Sequence, residues 1–138
     1  ANPNAVLLAN ATFDAVSKIG WPESRIILSE CAIYLANSPK SNSAYMAINN
    51  AQSAVRETGD LPVPLHLRNA PTKLMADLGY SAGYKYAHDY KNHYVKQQYL
   101  PDTMENEHFY RPSENGYERT IVQHLTKLRA EAEDETNK

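Results

Sequence analysis

Pro3-Asn-Ala-Val-Leu-Leu-Ala-Asn-Ala-Thr-Phe-Asp-Ala-Val-Ser-Lys-Ile19 is the stretch that decides the fold class. Within it Ala5, Leu8, Ala9, Thr12, Phe13, Val16 and Ile19 recur at three- and four-residue intervals, which lines up one apolar face of an α-helix. Asn2 is placed to cap that helix, Pro3 suits its first turn, and Gly20 ends it. The same logic carries outward. A second helix is expected from Pro22 to about Asn37, with Glu23 near the positive end of its dipole. Its half from Cys31 through Ala36 is apolar all round, so it should be covered on every side by this domain or by a partner subunit.

After the break at Ser38-Pro39, a third helix is expected to begin at Ser41 or Asn42 and to stop at Gly59. It presents a narrow stripe of Ala44, Ala47, Ile48, Ala51 and Val55. Alanines let helix axes approach closely, so tight packing is expected there. Short connections predict antiparallel helices across residues 1–60. Leu61-Pro-Val-Pro-Leu-His-Leu67 alternates two prolines and should run extended. A short helix should follow, capped by Asn69, with Leu74, Met75 and Leu78 inward and Gly79 as its stop.

From Tyr80 to Tyr99 the chain carries Tyr80, Tyr84, Tyr86, Tyr90, Tyr94 and Tyr99, interleaved with Lys85, His88, Lys91, His93 and Lys96. Tyrosine rings can stack on bases while lysines meet phosphates, so Lys85, Lys91 and Lys96 are candidate DNA contacts. Tyr86, Tyr90 and Tyr94 are also spaced by four, which is the stripe of a helix that packs its rings. Packing takes precedence on that spacing. The last helix is expected from about Asn115 to Ala132, with Ile121, Leu125 and Leu128 inward, and the tail from Glu131 to Lys138 is expected to fray.

Bulk properties narrow the function classes. The 138 residues are 42% apolar, enough for one core and short for two, so a single helical domain is expected over residues 1–138. The formal charge is -2, from 14 basic against 16 acidic residues, which does not describe a dedicated nucleic-acid binder. One cysteine, Cys31, allows no intrachain disulfide and fits a reducing compartment. No apolar run is long enough for a bilayer and the N-terminus has no signal-peptide layout, so a cytoplasmic location is expected, with no membrane partner. A helical pattern that begins at once, without an initiating Met, further suggests a piece of a longer chain.

Catalytic patterns are missing. Lys40-Ser41 lacks the glycines that let backbone amides converge on phosphates, and Asp134-Glu135 lies in the polar tail rather than after an apolar strand. His88 and His93 would fall on different faces of a helix, with no further ligand at a metal-binding interval. Cys31 reads as a packed core thiol. The expectation is a fragment with no catalytic, cofactor-binding or metal-ligating residue.

A resemblance adds to this reading. Trp21-Pro-Glu-Ser-Arg-Ile-Ile-Leu, Ala32-Ile-Tyr-Leu-Ala, Pro39-Lys-Ser-Asn-Ser-Ala-Tyr, Pro62-Val-Pro-Leu-His-Leu-Arg-Asn-Ala and Gly83-Tyr-Lys-Tyr-Ala-His-Asp-Tyr occur in that order. Gln98-Tyr-Leu-Pro-Asp, Phe109-Tyr-Arg-Pro and Gly116-Tyr-Glu follow. Together they resemble the C-terminal region of the replication-associated recombination protein A family. These are AAA+ ATPases related to clamp loaders and to the Werner-helicase-interacting protein.

The resemblance implies an all-α packed array similar to the clamp-loader collar, placed after the ATPase core and serving oligomerisation. It implies a homotetramer, ATP and Mg bound by the upstream core, and action on DNA at stalled forks with single-stranded-DNA-binding protein as a partner. The parent would be cytoplasmic and nucleoid-associated. No catalytic residue of the family maps onto this stretch. Ile33, Tyr34, Ala44, Ile48 and Ala51 are the candidate self-association residues.

Overall fold

The computed structural model describes residues 1–136 of the backbone. It is all helical, with α1 at Asn4–Ile19, α2 at Ser24–Asn37, α3 at Ser43–Thr58, α4 at Lys73–Asp77 and α5 at Glu118–Thr136. Among the described residues there is no strand. Four single turns of 3-10 helix, at Leu65–Leu67, Ala87–Asp89, Lys91–His93 and Asp102–Met104, punctuate the long connection between α4 and α5 and the approach to α4.

Two compact units make up the chain: residues 1–44 with 112–123, and residues 45–111 with 124–138. In the first, α1 and α2 pack along each other. Asn2 caps α1 as its spacing requires, its side-chain oxygen accepting from the Asn4 N–H at 3.1 Å. Gly20 ends the helix at a φ of 74°, which costs a side chain but not glycine. The turn is then pinned by Ser24, fully buried, whose hydroxyl donates to the Gly20 carbonyl. The seam holds Thr12 and Cys31, both buried, with Leu8 and Ile27 half-buried beside them.

A cluster of hydroxyls closes this unit. Glu118 opens α5, and its carboxylate accepts from Ser41 Oγ at 2.8 Å, from Ser113 Oγ at 2.6 Å, from the Ser113 N–H at 2.9 Å, and from Ser43 Oγ. Ser43 is the first residue of α3, so one carboxylate ties the starts of two helices together. Asn115 Nδ2 adds a bond to the Lys40 carbonyl at 3.1 Å.

In the second unit, the prolines at 62 and 64 hold the connector extended up to the turn at Leu65–Leu67. Arg68 then fixes the next corner. Its guanidinium donates to the Val63 carbonyl at 2.7 Å and lies over the Tyr80 ring at 5.2 Å. Farther on, Val95 and Ala132 are buried, and Asn92 Nδ2 donates to Glu131 of α5 at 2.6 Å.

Several expectations need correction. On α1, Phe13, Ile19 and Ala9 are exposed, because α2 covers only the narrower line of Ala5, Leu8, Thr12 and Val16. α2 begins at Ser24 and α3 at Ser43, two residues or so later than the sequence suggests. α4 is capped by Thr72, whose hydroxyl accepts from the Met75 N–H at 3.3 Å, and not by Asn69. It is too short to bury a face: Leu74 and Leu78 stay exposed and Met75 is half-buried. α5 starts at Glu118 and continues as helix through Thr136, past the point where fraying is expected. Asn137 and Lys138 lie outside the described residues.

The largest correction concerns Tyr86, Tyr90 and Tyr94. They do not lie on an α-helix. Each occupies an extended joint beside a three-residue 3-10 turn, Ala87–Asp89 or Lys91–His93, so the four-residue spacing is that of turn plus joint. Asn92 and His93 take left-handed backbone angles, φ 55° and 53°, which no continuous right-handed helix accommodates.

Candidate functional site

The feature that separates this chain from an ordinary monomeric domain is how little apolar side chain it covers. Among the described residues the buried apolar side chains are those of Cys31, Val95 and Ala132. The accessible surface is 10628 Å². A compact monomer of this mass would expose about 7,200 Å², and even two independent bodies of half the mass about 8,700 Å². The surplus therefore does not depend on how the two units are arranged.

The exposed apolar residues lie on regular helices. Phe13 of α1 is 72% exposed, Ile33 of α2 65% and Ile48 of α3 54%. Val6, Leu7, Ile26, Tyr45 and Val55 are exposed as well. Of the candidate self-association residues, Ile33, Tyr34, Ala44 and Ile48 are exposed and Ala51 is half-buried. The structure thus leaves these side chains available, where a covered core would have removed them. The half of α2 from Cys31 to Ala36 buries Cys31, half-buries Leu35 and leaves Ala32, Ile33, Tyr34 and Ala36 exposed.

Charge is distributed to match. Asn4 through Phe13 and Ser43 through Val55 contain no Asp, Glu, Lys or Arg. Exposed helices of a free-standing domain carry charge on their solvent face; exposed, uncharged and apolar surface marks an interaction site. α5, by contrast, is rich in both signs.

The tyrosine-rich segment is placed differently. Tyr84, Tyr86 and Tyr99 are exposed, and the rings of Tyr86 and His88 lie 5.0 Å apart, centroid to centroid. Two of the three candidate DNA-contact lysines pair with acids of α5, while for Lys85 the bond is made by the backbone. Lys91 Nζ is 3.7 Å from Glu131 and Lys96 Nζ 3.5 Å from Glu133, while the Lys85 N–H donates to Gln97 Oε1 at 2.7 Å.

His88 and His93, assigned by helical spacing to different faces, meet instead with ring centroids 4.9 Å apart, because the segment turns tightly. No group of three or more potential metal ligands forms among the described residues. An open cleft beside this segment is lined by Lys96, Glu105, His108, Arg129 and Glu133, whose mixed charges select no one class of ligand.

Sequence reasoning missed the Ser41–Ser43–Ser113–Glu118 cluster. Its only local sign is Ser41-Asn-Ser43 ahead of a helix, since Ser113 and Glu118 reach it from the far end of the chain. The cluster is saturated with hydrogen bonds and reads as a structural clasp. Among the described residues no helix is long and apolar enough to cross a membrane.

Comparison with known proteins places the chain. Residues 1–129 match the family model described as MgsA AAA+ ATPase C terminal. The chain is 40% identical over 130 residues to replication-associated recombination protein A of Haemophilus influenzae, covering 94% of this chain and 29% of that protein. The homologous protein of Escherichia coli K12 is 40% identical over 129 residues, with 93% and 29% covered. An ATPase of Dictyostelium discoideum, WRNIP1, is 42% identical over 111 residues, 80% of this chain and 13% of that protein. The chain thus spans under a third of the length of these relatives.

Proposed function

The chain belongs to the MgsA AAA+ ATPase C-terminal family, and from that premise we propose that its task is self-association, as the oligomerisation domain of an ATPase acting in replication-associated recombination. The observation that carries this reading is the exposed apolar surface of α1, α2 and α3, free of charge over residues 4–13 and 43–55, which a solitary domain has no reason to keep. Residues 1–138 act as one module in this reading. Ile33, Tyr34, Ala44, Ile48 and Ala51 contribute to its contacts, and the assembly is a homotetramer.

The mechanism is geometric. Self-association sets the distance and orientation of the upstream ATPase cores, as a clamp-loader collar would, so that one subunit completes its neighbour's nucleotide site. ATP and Mg belong to those cores, and this domain contributes no reacting group. The parent works on DNA at stalled forks, beside single-stranded-DNA-binding protein, in the cytoplasm and on the nucleoid. The relatives named for replication-associated recombination support the setting.

Equilibrium sedimentation of this chain tests the reading. A mass that is a fixed multiple of the chain over a wide concentration range is the expected result. A monomer at high concentration would overturn it.

A second reading is favoured by the exposure of Tyr84, Tyr86 and Tyr99. In it, these rings and Lys85, Lys91 and Lys96 form a DNA-contacting module. The pairing of Lys91 and Lys96 with acids of α5 ranks it below the first.

A further inference from the structure

A five-residue interval sets two histidines on different faces of an α-helix, but His88 and His93 do not lie on one. Each sits on its own 3-10 turn, Ala87–Asp89 or Lys91–His93, and the two turns pack together. The left-handed angles at Asn92 and His93 turn the chain tightly, so the two imidazoles meet with their centroids 4.9 Å apart.

That backbone is held in place. Two consecutive residues other than glycine at positive φ are uncommon, and such outliers persist only where their surroundings fix them, often at ligand clamps. Glu131 of α5 does the fixing: one carboxylate oxygen accepts from Asn92 Nδ2 at 2.6 Å and the other lies 3.7 Å from Lys91 Nζ. At the first turn, the Tyr86 ring lies 5.0 Å from that of His88. Both turns are thus supported, while both histidines stay exposed.

The separation is that of two ligands on one ion. A divalent transition metal binds an imidazole nitrogen at about 2.1 Å, which puts the centroids of two rings sharing it roughly 4.6 to 5.3 Å apart for bond angles of about 90° to 110°. The observed 4.9 Å falls inside that range. The ring nitrogens are also uncommitted. Among the described residues neither His88 nor His93 hydrogen-bonds or ion-pairs with a protein group, whereas His66 Nε2 is engaged by the Gln98 carbonyl at 2.8 Å.

We propose that His88 and His93 form a two-histidine site, within a single chain, for a divalent transition metal of the zinc, nickel and copper class. No third side chain joins them among the described residues, so water completes the coordination shell. Imidazole suits those ions, while magnesium and calcium take oxygen ligands. A bound ion bridges the two turns, and the site needs neither self-association nor DNA contact.

Isothermal titration calorimetry of this chain with zinc chloride, in a buffer that does not bind metal, tests the site. One ion per chain is expected, with binding lost in His88→Gln and in His93→Asn and retained in His108→Gln and His124→Gln. Asparagine tolerates the left-handed backbone at position 93, so that variant keeps the turn. Affinity should rise from cobalt through nickel to copper, and magnesium should not bind.

NMR of the unsubstituted chain checks the same assignment without a substitution. Zinc should move the imidazole signals of His88 and His93 together and leave those of His66 in place. The proposal is overturned by an absence of zinc binding, by binding that survives either substitution, by one ion shared between two chains, or by imidazole shifts confined to other histidines.

Discussion

The carboxylate of Glu118, at the start of α5, accepts a hydrogen bond from the hydroxyl of Ser43, at the start of α3. Residues 75 apart in sequence are thereby fixed at one point, with Ser41 and Ser113 completing the shell. Replacing Glu118 with Gln keeps the shape but turns charged acceptors into a neutral amide, whose NH₂ faces hydroxyl donors. Hydrogen bonds to charged groups contribute about 1.5–3 kcal/mol each when buried. The hydroxyls can reorient toward one another, as Ser41 and Ser43 already do at 2.8 Å, so a net loss of about 1–2 kcal/mol is expected. Urea denaturation of E118Q beside the parent chain measures it; an unchanged midpoint would remove the clasp from the account.

The same carboxylate makes stability depend on pH. Burial alone would raise its pKa, but the bonds from Ser113, Ser43 and Ser41 and from the Ser113 N–H outweigh that and hold it at about 2, against an ordinary 4.5. A pKa depressed in the folded state stabilises the fold above 4.5, and that contribution is lost as pH falls toward about 2. The gap in melting temperature between the parent chain and E118Q should be constant above about pH 5 and close between pH 4.5 and 2. Other carboxylates cancel in the difference. A gap that widens on acidification would contradict the assignment.

Gly116 sits just before this clasp with φ +49°, and a Cβ there would lie 2.9 Å from the Ala1 carbonyl oxygen and 3.0 Å from Pro39 Cβ. The Ala1 carbonyl already accepts from the Tyr117 N–H at 2.9 Å, so it is not free to retreat. Gly116→Ala combines left-handed strain with a backbone clash and should cost about 1–3 kcal/mol. Gly59, also at positive φ but with open space around its would-be Cβ, is the control; its alanine variant should lose only the strain, about 1 kcal/mol. Equal losses at the two sites would mean that the Ala1–Pro39 contact carries nothing.

How much of this was legible beforehand depends on whether the signal was local. Helix α1 was readable because Asn2, Pro3 and Gly20 are start and stop signals within one segment, and the structure ends it at that glycine. The extended run to Pro64 followed from proline geometry alone. The tyrosine segment misled because a spacing of four has two sources. An α-helix gives it, and so does a three-residue 3-10 turn plus one extended joint, and only the left-handed angles at Asn92 and His93 distinguish them. Burial was the least legible property. Periodicity says that Ile48 and Phe13 lie on apolar stripes, but whether a stripe meets its own chain or another is a property of the assembly. The Glu118 clasp joins two distant segments, Ser41–Ser43 and Ser113–Glu118, and had no pattern to find.

The lysines of the tyrosine segment separate the two functional readings. Lys91 and Lys96 are 62% and 70% exposed and pair with Glu131 and Glu133 at 3.7 and 3.5 Å. Exposed pairs of this kind contribute about 0–1 kcal/mol, so Lys91→Ala with Lys96→Ala should shift stability by at most about 1 kcal/mol and leave the sedimenting mass unchanged. The same weakness means that phosphates could compete for both ammonium groups. Under the DNA-contact reading, adding Lys85→Ala removes three phosphate contacts. The slope of log affinity against log salt for a labelled single strand would then fall by about 2, at roughly 0.7 per contact. An unchanged slope, with binding intact, would place any DNA contact elsewhere in the longer protein. It would leave Tyr84, Tyr86 and Tyr99 without a base-stacking role supported by charge.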